Sequence, residues 1–265
     1  VRGLQTYDQA RAAHQAASRD ASKPATEPTV INAYRQAADL LAAALTAQDT
    51  RAFDRERAQC GIVLGFARFY AGDLEAAADA LERVATTAPD PAQSQEALWV
   101  AIVALDEAVE QGRPSLTERR DRLALLFLEQ HPSSQRAAEL LVRRAASGLI
   151  DDEPAVQILL AVERQSPLYP AARRHAAGLL YRLYRRATGP ERDFAALRFA
   201  DVAEEVVRLD IEVAQTAPPD DAAQAVGFVI LRARQILDAL LGASAPDLPR
   251  AEAMLDVVDK TLAQA

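Results

Sequence analysis

Very little in this chain can be oxidised, hold a metal or cross a bilayer. Among 265 residues there is one cysteine, Cys60, with one methionine and one tryptophan. A lone cysteine excludes a disulfide framework and a thiol metal site, and its place in an apolar helical run reads as a small buried hydrophobe. The three histidines, His14, His131 and His175, are far apart, and none forms the i, i+4 pair that binds zinc on a helix. His131, ahead of Pro132 at a helix end, suits a C-terminal dipole, and His175 reads as a surface or groove residue. There is no glycine-rich phosphate loop. No apolar run approaches the roughly 20 residues of a membrane span, Leu98 to Leu105 being the longest conspicuous one.

Lysine is also scarce, Lys23 and Lys260 being the only two, a bias of the kind a GC-rich genome produces. The formal net charge of -8 argues against general nucleic-acid binding, which needs a basic face to neutralise phosphates. With no catalytic constellation in view, neither an enzyme nor a cofactor nor a metal is expected. Glycine and aromatic residues are few, and no segment longer than about six residues alternates as a half-buried strand does. Val1 in place of an initiator Met reads as a trimmed or processed chain or a piece of a larger one. The compartment, cytoplasmic or periplasmic, stays open.

Half of the residues are apolar and about a fifth are alanine, a balance for close-packed helices. The first helix is expected from about Leu4 to Arg19. After a loop at Ser22 to Pro28, Thr29 is read as the cap of the next, where Ile31, Tyr34, Ala37, Ala38, Leu41 and Ala42 make an apolar stripe. A third helix is predicted from Arg51 to Ala71. Beyond Pro89 and Pro91, helices are predicted over Ser94 to Val109 and from Ser115, where Ser115 and Glu118 have capping-box spacing. Further helices are expected over 134–147 with a turn at Gly148, then 151–165, 170–187 and 190–213, from the boundary at Pro218 to Asp221 as far as about Leu241, and over 248–263. The total is about twelve helices in six hairpins.

The stretch from Ala58 to Pro89 is the most specific. Leu64, Gly65, Gly72, Asp73, Leu74, Ala77, Leu81, Val84 and Pro89 fall where two antiparallel helices can pack closely and turn into the next pair. It resembles the tetratricopeptide-repeat family, with Arg68 where that pattern has an aromatic. A weaker echo lies at Ala177-Gly178-Leu179-Leu180-Tyr181. The closing prolines Pro89, Pro132 and Pro167 follow at steps of 43 and 35 residues, against about 34 in the standard unit. The resemblance implies one irregular domain over 1–265, an all-α, right-handed superhelical solenoid with its clearest repeat at 58–91.

Members of that family bind peptides or partner helices along a concave face lined by the first helix of each hairpin. Carried over, the groove positions are Gln59, Ile62, Phe66, Phe69 and Tyr70, with Leu98, Ile102 and Leu105 as counterparts in the following hairpin. Plain core packing is the rival account of Ile62, Phe66 and Ile102, while Phe69 and Tyr70 are the better candidates for exposure. The carboxylate clamp of chaperone-binding relatives wants Lys and Asn where this chain has Ile62 and Phe66, so a chaperone-tail adaptor is disfavoured.

A second candidate is basic: Arg143, Arg144, Arg173, Arg174, Arg182, Arg185 and Arg186. Such a cluster could hold an acidic peptide, a carboxyl terminus or a phosphate. Its rival is a solvated face paired with the acidic helix carrying Asp193, Asp201, Glu204 and Glu205. The expected function is a non-enzymatic interaction module for a protein or peptide partner. The alternative is a spacer or self-associating segment of a larger envelope or assembly protein, with a helical enzyme as the remote third.

Overall fold

Alanine-rich segments with apolar residues at three- and four-residue steps become helices, and Pro, Gly and Asp clusters end them. A computed structural model of the chain describes residues 1–47, 53–144 and 149–264. These residues carry twelve α-helices and no strand. They divide into two units, Val1–His131 and Pro132–Ala265. The predicted start of the third helix at Arg51, the predicted end at Ser147 and the turn at Gly148 lie outside the described residues.

The first unit contains α1 (Arg2–Ala17), α2 (Pro28–Thr46), α3 (Asp54–Tyr70), α4 (Leu74–Thr87), α5 (Pro91–Glu110) and α6 (Thr117–Gln130). Each helix packs on the next, and α3 also touches α1 and α5. Stacked hairpins give this pattern, because the first helices of successive pairs line up beside one another. The second unit contains α7 (Gln135–Arg143), α8 (Asp152–Leu160), α9 (Tyr169–Arg186), α10 (Pro190–Thr216), α11 (Pro219–Leu241) and α12 (Leu248–Gln264). Its helices again pack in sequence, with an added contact between α7 and α9.

Helix starts differ from expectation where proline was read only as a breaker. Helix α5 begins at Pro91, not Ser94, because Asp90 Oδ1 accepts from the Ala92 amide at 2.9 Å and proline suits a first turn. Helix α2 begins at Pro28, so Thr29 lies inside the first turn instead of capping it. The Ser115 capping box does not form. Pro114–Leu116 is a short 3-10 turn, and α6 starts at Thr117 without a side-chain cap bond. Helix α8 stops at Leu160, short of the expected Gln165.

The core of the α3–α4 hairpin is set by two glycines. A Cβ on Gly61 would lie 2.4 Å from Val84 Cγ2, and one on Gly65 would lie 2.3 Å from Leu81 Cγ. Those separations are impossible, so the absence of side chains is what lets the helices approach. Gly72, at φ +79°, then makes the turn into α4, a backbone region that L side chains rarely adopt. Gly178, the glycine of the weaker echo, meets nothing within 4 Å and has no such role.

Replacing Gly65 with Ala should therefore destabilise the chain by about 2 kcal/mol through overpacking. Gly178→Ala should stabilise it by about 0.5 kcal/mol, since alanine is the better helix former. Chemical denaturation of the two variants checks the pair, and equal effects would contradict the packing.

Candidate functional site

Apolar residues all round α3 meet neighbours on nearly every side, and this decides most of the groove candidates. Ile62, Leu98, Ile102 and Leu105 are core residues, at most 4% exposed. Phe69, expected to be exposed, is buried at 5%, and Tyr70 is half-buried. Tyr70 packs against the core that α3 shares with α1 and α2, whereas Phe69 is buried outside that core. The Tyr70 ring stacks on Tyr34 with centroids 5.3 Å apart, meets Phe69 edge-on at 5.2 Å, and lies 6.2 Å from Phe66. Phe66 is half-buried in the same cluster, and Gln59 is exposed. The eight candidates thus do not form one open apolar strip.

Within the cluster, His14 of α1 shares a hydrogen bond of 3.3 Å with the Tyr34 hydroxyl. Burial holds the His14 imidazole below its ordinary pKa and pushes the Tyr34 phenol up to about 12. Cys60 is half-buried with Sγ 3.8 Å from the Leu41 carbonyl oxygen, and burial raises its pKa. Both groups are therefore neutral at pH 7.

Six of the seven arginines of the predicted basic cluster face carboxylates. Asp152, at the start of α8, accepts from Arg182 at 2.7 Å and from Arg186 at 3.3 Å. Arg185 reaches Asp238 at 3.5 Å, and Arg143 pairs with Glu139 one turn back at 2.6 Å. Arg173 lies over the Tyr169 ring, pairs with Glu205 at 3.1 Å, and donates to the Leu160 carbonyl that ends α8 at 3.1 Å. Arg174 donates to Asp210 of α10 at 2.7 Å, with that carboxylate nearly inaccessible. Arg144 is half-buried at the C-terminal end of α7.

Of the acidic helix expected to oppose them, Glu205 does so. Asp201 and Glu204 instead hold Arg250 of α12 at 2.6 and 2.5 Å, and Asp193 takes the Ser244 hydroxyl and amide.

Two clefts of the first unit flank α4, and a smaller cavity of about 250 Å³ lies among α1, α2 and α3. One cleft, of about 510 Å³, runs between α2 and α4 with α3 as its floor. Ala42, Leu45, Ala58, Leu64 and Val84 make it apolar, and Arg57, Arg68, Arg83 and Asp54 are its charged lining among the described residues. The other, of about 700 Å³, runs between α4 and α6 over α5, with Leu98 in the floor and Leu125 and Leu126 in the wall. Of its charged lining residues, Arg122 donates to Glu82 at 3.3 Å, and Glu82 also accepts from Arg119 at 2.7 Å, while Glu129 adds a second carboxylate.

These clefts were not legible as sites, because their residues come from three helices and share no spacing. The one trace is Arg68, which departs from the repeat's aromatic. Among the described residues, no group of three or more His, Cys, Asp or Glu side chains is placed to hold a metal ion, and no helix is long and apolar enough to cross a membrane.

Two tests follow from this geometry. Removing Arg174 leaves Asp210 buried without its closest cation, so Arg174→Met should cost about 3 kcal/mol, against about 0.3 kcal/mol for Arg143→Met at an exposed i, i+4 pair. Urea denaturation separates the two. The second concerns pH. His14, His131 and His175 are all held below the ordinary 6.5 by burial. The unfolded chain takes up protons that the folded one refuses, so stability is complete above about pH 6.5 and is lost as pH falls toward the folded values. Melting temperature should drop between about pH 7.5 and about pH 5.5, and His14→Gln should flatten the drop. An unchanged slope in that variant would remove His14 from the account.

Comparison with protein-family models, with curated proteins and with solved structures gives no match. The likeness to tetratricopeptide repeats therefore rests on the residues from Ala58 to Pro89 themselves.

Proposed function

We propose that the chain is a non-enzymatic interaction scaffold, an irregular right-handed α-solenoid of tetratricopeptide-like hairpins, which holds a segment of a partner protein beside α4. The observation that carries this is the pair of apolar-floored clefts sharing α4 as a wall. Each has the volume of a small-molecule or side-chain site, and together they offer two adjacent places for apolar anchors. The first-helix residues of α3 and α5 named from the repeat pattern are mostly consumed by packing, which moves the binding surface from those helices to the flanks of α4.

A second reading, self-association, is favoured by α12. Leu248, Leu255 and Leu262 recur at seven-residue steps on this helix and are 57%, 49% and 49% exposed. Leucines at that period form the seam of a helix pair. Sedimentation at several concentrations decides between the two, a concentration-independent monomer removing the second.

For the first, a photo-crosslinker at Leu126 should label a partner that the same group at exposed Gln59 misses. The purified partner should then bind Leu126→Glu at least about tenfold more weakly, the loss of a buried anchor. Retained affinity with unchanged helical circular dichroism would contradict the placement beside α4.

A further inference from the structure

We infer that the exposed face of α12 is a second interaction surface, which takes a basic amphipathic helix of a partner protein. It lies in the second unit, so it stands apart from the clefts beside α4 and competes only with self-association for the same leucines. Position in the heptad carries the inference. Leu248, Leu255 and Leu262, all exposed, fall within a sector of about 40° on the helix. On one side of that stripe Ala251, Met254 and Thr261 are buried, and Arg250 holds Asp201 and Glu204 of α10. Those residues fix α12 to its own unit without using the leucines. On the opposite side stand the exposed side chains of Asp259, Glu252 and Asp256, between about 40° and about 100° from Leu255.

With the leucines at d, Glu252 and Asp259 occupy a and Asp256 occupies e. None of the three carboxylates has an ion-pair or hydrogen-bond partner among the described residues. Lys260, the one cation of the helix besides Arg250, falls about 140° from Leu255, away from the seam. An a position sits inside the seam of a helix pair, so its chemistry selects the partner. In a parallel pair of two copies Glu252 would meet Glu252 and Asp259 would meet Asp259, like charges pressed together. In an antiparallel pair the same carboxylates would be covered by leucine with no cation to receive them. An anionic bilayer surface or a nucleic acid carries the sign of charge that this face repels. A helix with Leu at d and Lys or Arg at a and g closes leucine over leucine and sets a cation against each carboxylate. The rise from Leu248 to Leu262 is about 21 Å, which seats a partner helix of about four turns.

The test is fluorescence anisotropy on the full chain at low salt with two labelled peptides: three repeats of Lys-Ala-Gln-Leu-Gln-Ala-Lys, and the same peptide with Glu for every Lys. The lysine peptide should bind at least about tenfold more tightly than the glutamate peptide. Leu255→Gln should weaken it about tenfold, the loss of one buried leucine. A chain of net charge -8 attracts any cation weakly, so the decisive variant combines Glu252→Lys with Asp259→Lys. Both positions are exposed, and at unchanged helical circular dichroism the preference should reverse to the glutamate peptide. Leu126→Glu should leave both affinities unchanged, so this surface and the clefts beside α4 fail separately. Equal binding of the two peptides, binding of neither, or a preference that survives the double substitution overturns the inference. Sedimentation as a dimer that Leu255→Gln dissociates would assign the leucines to a second copy. Co-sedimentation with phosphatidylglycerol vesicles, lost in the same variant, would assign them to a membrane, and either result overturns the inference.

Discussion

Two side chains that are not there bring α3 and α4 together. Because Gly61 and Gly65 offer no Cβ, Val84 and Leu81 lie against the α3 backbone, and the rest of the first unit is arranged around that contact. Leu81, Leu74 and Ala77 are wholly buried between the two helices and their neighbours. Helix α5 stacks on α4 and α3 together, while α1 and α2 close the opposite side of α3 with the Tyr7, Tyr34 and Tyr70 rings. A larger residue at either glycine would have to separate the hairpin, and with it the walls of both clefts.

The same close packing explains how far sequence reasoning reached. Helix identities follow from local signals, the 3.6-residue period and the proline and glycine punctuation, so all twelve helices were legible. Helix starts were legible only in part. Proline acts as a first-turn residue at Pro28 and Pro91, and a serine with good capping spacing at Ser115 is overtaken by the turn that Pro114 starts. Side-chain exposure was the least legible. Phe69 sits at a position that a regular repeat leaves open, yet here it is buried by packing between helices, a non-local fact that no spacing within α3 encodes.

Charge shows a parallel division. In the second unit several arginines tie helices together, Arg174 to Asp210, Arg198 to Glu153 and Arg250 to Asp201 and Glu204. Interhelical pairs of this sort restrict which neighbours a helix accepts more than they add stability. In the first unit Arg35 with Asp73 and Arg119 with Asp79 and Glu82 do the same across the helices beside α4.

The dependence of the first unit on its central hairpin is most directly tested by native-state hydrogen exchange on the intact chain. The amides of α3 from Gly61 to Phe69 and of α4 from Ala77 to Val84 should exchange together with those of α5, as one slow block, because the glycine contact makes them a single cooperative element. Exchange of α3 independently of α4, and as fast as that of α1, would contradict it.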